Sequence, residues 1–81
     1  MPGGQTFERM RRNPKGDWNI NDIQRVCREN GLACDPPRGG GSHYKIRARG
    51  FMLTIPARRP IKPVYIRAFV GLIIKLWDEL P

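Results

Sequence analysis

Between His43 and Ile55 every second position is apolar except where the chain turns. Tyr44, Ile46 and Ala48 alternate with His43, Lys45 and Arg47; after Arg49-Gly50 the alternation resumes with Phe51, Leu53 and Ile55. Period-two patterning around a two-residue loop predicts a hairpin of strands His43–Ala48 and Phe51–Ile55. That loop pairs Ala48 with Phe51, Ile46 with Leu53 and Tyr44 with Ile55, so the apolar set shares one face. On the other face Arg47 opposes Met52, Lys45 opposes Thr54 and His43 opposes Pro56, beside the start of Ala57-Arg58-Arg59. A slip of one residue would bury the charges, which pins the register.

The flanking segments follow a helical period. A helix is expected with Asn21 as N-cap, Gln24 three residues on and Gly31 as its stop, its apolar side formed by Ile23, Val26 and Cys27 with Ile20 before the cap. Leu32–Cys34 reads as a short first strand ended by Asp35-Pro36-Pro37, and Gly39–Gly41 as the flexible turn into the hairpin. The last helix is expected from Pro63 to Leu80, its core stripe being Ile66, Phe69, Val70, Ile73, Leu76, Trp77 and Leu80. Tyr65, Leu72 and Ile74 widen that stripe beyond what one sheet face needs. Either Phe7 and Met10 pack against the surplus, or a partner protein does. Thr6 is the expected cap of a short helix over Phe7–Arg12, stopped by Asn13-Pro14, with Met1 to Gln5 loose.

Eighty-one residues with ordinary apolar content form one folded domain, and its formal charge of +8 implies an acidic partner or a nucleic acid. The charge is unevenly placed. From Pro36 to Trp77 every charged residue is cationic, and all seven carboxylates lie outside that stretch. A positive field suits a polyanion and is a poor place for a divalent cation, so neither a metal nor another cofactor is expected. Cys27 and Cys34 lack the spacing and companions of a metal motif and read as buried reduced thiols, as in a reducing cytosol. No charged-then-apolar leader opens the chain, and the apolar run Phe69–Ile74 is far short of the roughly 20 residues that span a bilayer. A cytoplasmic protein without a membrane partner is the expectation.

His43, the single histidine, follows three glycines and a serine within the cationic stretch. RNA is cut without metal when one group takes the 2′-hydroxyl proton, another protonates the leaving oxygen and cations stabilise the crowded phosphate. Histidine suits that proton traffic near neutral pH, and the glycines let backbone N–H groups approach a phosphate. His43 is therefore the candidate catalytic group. Gly41, Ser42, Lys45, Arg58, Arg59 and Lys62 are the candidate RNA- and phosphate-binding residues, the last three positioned by Pro56, Pro60 and Pro63. Ser42 has no acid nearby to complete a nucleophilic triad. Tyr44 is expected in the core, and Trp18 and Trp77 as packing anchors.

The order helix, Gly31, short strand, Gly41-Ser42-His43, hairpin, Pro56, basic link and helix resembles the HicA toxins of bacterial toxin–antitoxin pairs. The string Thr54-Ile55-Pro56-Ala57-Arg58-Arg59-Pro60-Ile61-Lys62-Pro63-Val64-Tyr65-Ile66-Arg67 is similar to the subgroup with a longer N-terminus. The likeness spans roughly Trp18 to Trp77. It implies an α+β fold like that of double-stranded-RNA-binding domains: α-β-β-β-α, a three-stranded antiparallel sheet with helices on one face, here preceded by a short helical extension over residues 1–18. It further implies that residues 19–81 form a metal-independent mRNA endoribonuclease, with His43 catalytic, neutralised by a HicB-like antitoxin. The residues alone also admit a noncatalytic RNA- or DNA-binding module, or a basic adaptor for an acidic protein.

Overall fold

The computed structural model describes residues 3–79, and the element order is α1 (Gln5–Arg12), α2 (Ile20–Asn30), β1 (Ala33–Asp35), β2 (His43–Ala48), β3 (Phe51–Pro56) and α3 (Pro63–Asp78). This is a small α+β fold. Its three strands form one antiparallel sheet in the order β1-β2-β3. The β2–β3 register is the one the alternation predicts, from His43 opposite Pro56 to Ala48 opposite Phe51. Arg49 and Gly50 both have positive φ, 49° and 84°, the backbone signature of a type I′ turn whose twist matches that of the strands it joins. Ile46 and Ile55 on the helix-facing side are fully buried, whereas His43, Lys45, Arg47, Met52 and Thr54 are exposed on the other.

The helix starts differ from the sequence expectation. Asn19, not Asn21, caps α2: its side chain accepts from the Asp22 N–H at 3.2 Å while the Asp22 carboxylate accepts from the Asn19 N–H at 3.0 Å. This reciprocal box satisfies two otherwise free donors and places an anion at the positive end of the helix, and Ile20 becomes the first helical residue. Thr6 is not the cap of α1, which begins at Gln5 behind Gly4. The reason lies in the chain entry. Asn30 holds Gly3 through both its side-chain oxygen (3.0 Å) and its nitrogen (3.1 Å), so the chain is already in place one turn earlier. Gln5 is thus helical rather than loose, while Met1 and Pro2 lie outside the described residues.

Three strand ends also shift by one residue. Leu32 donates to the Cys27 carbonyl (2.9 Å) as part of the α2 terminus at Gly31, so β1 begins at Ala33 and continues through Asp35, which pairs with Lys45. β3 continues to Pro56 because the ladder runs on to an Ala57 N–H to Ser42 carbonyl bond of 2.7 Å. α3 ends at Asp78, and Leu80 lies outside the described residues.

The surplus apolar surface of α3 is answered by α1. Phe7 and Met10 are buried in the same core as Ile23, Val26, Ile46, Ile55, Ile66, Phe69 and Ile73, with α1 packed on both α2 and α3. Tyr65 and Leu72 are half-buried against that core, and Val64 and Ile74 stay exposed. Trp18 is buried as expected and donates its indole N–H to the Asn13 carbonyl at 2.7 Å, whereas Trp77 is only half-buried.

The location of the α2 cap has a direct check. Asn19→Ala should cost about 1 kcal/mol in urea unfolding, while Asn21→Ala, at an exposed position, should stay within about 0.5 kcal/mol of the parent.

Candidate nucleic-acid interface

The exposed face of the sheet begins with the turn before β2. Gly39 and Gly40 take φ of 67° and 78°, a left-handed pair that residues with a Cβ rarely adopt, and the chain then delivers Gly41 against Pro37. From there the β2 register points His43, Lys45 and Arg47 outwards in sequence, spaced two residues apart along the strand. Together with Arg38, Gly41, Asp35 and Met52 they line an open depression of about 1020 Å³. The second cationic group lies beyond the hairpin. Arg58, Arg59 and Lys62, with Pro56, Pro60 and Tyr65, line a separate cleft of about 500 Å³. His43 lines the first and its strand partner Pro56 the second, so the two depressions adjoin at that pair.

The sequence-derived residues thus divide. Gly41, His43 and Lys45 share the sheet-face depression; Arg58, Arg59 and Lys62 share the cleft. Ser42 lines neither, and its carbonyl is taken by the Ala57 N–H, which makes it a latch between the two groups. Arg38, Arg47, Asp35 and Met52 join His43 without having been singled out as site residues. For Arg47 the signal was present in the hairpin register. Asp35 was hidden, because nothing in the sequence sets how β1 pairs across the glycine turn.

Folding also returns acids to the acid-free stretch. Asp35 meets Arg47 at 2.7 Å across β1 and β2, and Asp17 accepts from Arg59 through both carboxylate oxygens, at 3.1 and 2.8 Å. Both pairs are well exposed, so each orients an arginine more than it stabilises the fold. The hydrogen bond from Arg59 holds the Asp17 carboxyl below its ordinary range, and the Arg59 guanidinium is correspondingly raised. The link itself is fixed from behind by an Ile61 N–H to Trp18 carbonyl bond of 2.8 Å, with the Ile61 side chain buried. Residues 17 and 18 therefore shape the wall that carries Arg59 and Lys62.

The thiols stand apart from this surface. Burial, with the neighbouring Cys34 adding to it, pushes the Cys27 thiol up to about 12, and burial also raises Cys34. Neither is a thiolate at neutral pH, so neither is a ready nucleophile. Among the described residues no group of three or more His, Cys, Asp or Glu side chains forms a metal-binding cluster. Among them, too, no helix is long and apolar enough to cross a membrane.

Compared with protein-family models, curated proteins and solved structures, the chain matches none.

The Asp17–Arg59 pair predicts a pH dependence. A depressed carboxyl pKa contributes stability that is present above the unfolded value of about 3.9 and is lost as pH falls through the lower folded value. In Arg59→Ala the Asp17 carboxyl should titrate closer to that ordinary value by NMR. An unchanged Asp17 titration would mean the pair does not persist in solution.

Proposed function

We propose that this chain is a HicA-like toxin with a double-stranded-RNA-binding-domain-like fold: a cytoplasmic, metal-independent endoribonuclease that cleaves mRNA and is neutralised by a HicB-like antitoxin. The reading is carried by one observation: the single histidine lies exposed on the open sheet face among Arg38, Lys45 and Arg47, next to a second cationic cleft.

In this mechanism the His43 imidazole accepts the proton of a 2′-hydroxyl. The freed oxygen attacks the adjacent phosphorus and the P–O5′ bond breaks, leaving a 2′,3′-cyclic phosphate on one fragment and a 5′-hydroxyl on the other. Lys45 and Arg47 follow His43 at two-residue intervals on one strand face, roughly 7 and 13 Å along it. Lys45 is the nearer; its ammonium stabilises charge on the phosphate and gives a proton to the leaving O5′. Arg47 is held by Asp35 and reaches a more distant phosphate. Arg58 and Lys62 bind the strand where it leaves the sheet face.

His43→Ala should lower cleavage of a labelled RNA by roughly 10²–10⁴-fold while leaving binding within a few-fold. Activity should persist in EDTA, with cyclic or 3′-phosphate ends by mass spectrometry. Wild-type protein that binds RNA without cutting it would instead make this a noncatalytic binding module. Strict dependence on added magnesium would remove the acid–base mechanism.

Electrostatics give a second check on the same surface. Arg58→Ala should reduce the slope of log K against log salt by about 0.7 for single-stranded RNA, and Arg47→Ala should do the same. An unchanged slope in both variants would place the strand elsewhere.

A further inference from the structure

The two basic depressions differ in one respect that charge does not explain. Among the described residues, the walls around His43 carry no aromatic ring, whereas the cleft beyond Pro56 is lined by one, Tyr65, in the first turn of α3. Tyr65 is only half-buried, one part packed on the core and the rest lining the cleft. Among the described residues no buried polar side-chain atom lacks a partner, and no side-chain hydrogen bond engages the Tyr65 hydroxyl, so that hydroxyl opens to solvent. Tyr44, the other tyrosine, lies on the helix-facing side of the sheet opposite Ile55 and reaches neither depression. Pro56 and Pro60 supply rigid apolar walls beside the ring, with exposed Arg58 and Lys62 at the rim. The volume of about 500 Å³ falls within the roughly 300–1,000 Å³ of small-ligand sites.

A site for phosphate alone needs cations and no apolar walls. A ring, two prolines and flanking cations fit a nucleotide: an aromatic face takes the base and the cations take the phosphate. Asp17 contributes by holding Arg59 to one side, which leaves Arg58 and Lys62 as the cations without an ion-pair partner in this cleft among the described residues.

We propose that this cleft is a base-stacking subsite for single-stranded RNA, in which the base of a nucleotide flanking the one at His43 stacks on Tyr65. The adjoining phosphate lies on Arg58 and Lys62, and the strand crosses from one depression to the other over the His43–Pro56 pair. The proposal rests on the reading that the chain binds RNA, and it adds a contact to a base where the other contacts engage only the sugar–phosphate backbone.

The test uses the His43→Ala protein, so that bound RNA stays intact, with fluorescence anisotropy on a short single-stranded RNA and on a series carrying one abasic position in turn. Tyr65→Leu, which keeps an apolar side chain against the core, should weaken binding roughly 5- to 150-fold, the range of one lost base–aromatic stack. Tyr65→Phe should bind as the parent does. With Tyr65 in place, one abasic position should cost a similar factor, and in Tyr65→Leu that same position should cost nothing further. Should Tyr65→Leu fail to fold by circular dichroism, the abasic series on the Tyr65 protein, with 2-aminopurine quenching at the sensitive position, reads the contact without it. Full-strength binding by folded Tyr65→Leu, or an abasic series with no sensitive position, overturns the subsite while RNA binding stands. No RNA binding by either the wild type or the His43→Ala protein overturns both readings together.

Discussion

The register of one hairpin governs this molecule. Arg49 and Gly50 close β2 onto β3 in a left-handed pair of conformations, and the strand period of two then assigns every side chain to a face. Ile46 and Ile55 enter the core; Lys45 and Arg47 meet solvent. Moving the register by one residue would bury two cations with no buried acid to meet them, at several kcal/mol each, and would strip the helices of the surface they cover. The same register sets His43 opposite Pro56, from which Ala57 and the basic link depart. The position of the candidate site is thus a consequence of how the core is filled.

Onto that frame the N-terminal segment adds both burial and aim. α1 covers the side of α3 that the sheet cannot reach, with Phe7 and Met10 buried in the shared core. Between α1 and α2, Trp18 holds the link through the Ile61 N–H and Asp17 takes hold of Arg59. This segment therefore supplies the backing of the second cationic cleft. An antitoxin of the proposed kind would find less bare apolar surface on α3 than the sequence promises, chiefly Val64, Ile74 and the open parts of Tyr65 and Trp77.

Charge is distributed in two tiers. Paired arginines, Arg47 with Asp35 and Arg59 with Asp17, are held in fixed directions by exposed carboxylates. Arg38, Lys45, Arg58 and Lys62 have no ion-pair partner among the described residues and remain free to answer a polyanion. In the proposed reading, the paired arginines would set register on a ligand with regularly spaced phosphates, and the unpaired cations would add affinity that salt screens.

Much of this was legible in the chain itself, and the reason is local. Alternation and a two-residue loop determine the hairpin, its register and the outward set His43, Lys45 and Arg47, because strand geometry depends only on neighbours along and across one turn. The stop at Gly31, the start at Pro63 and the buried faces of α2 and α3 follow from helical period in the same way. What the tertiary structure decided are pairings between distant residues. The choice of Asn19 over Asn21 as the α2 cap is the exception, a local one: Asp22, three residues on, closes the box, where the sequence offers Gln24 to Asn21 at the same spacing. Gln5 opens α1 because Asn30, far along the chain, holds Gly3. Asp35 and Asp17 reach Arg47 and Arg59 across gaps in sequence that no period or spacing describes. The cationic residues were countable from composition, but their division into a sheet-face depression and a tyrosine-lined cleft arises where the link bends away from β3, and only the packed core fixes that bend.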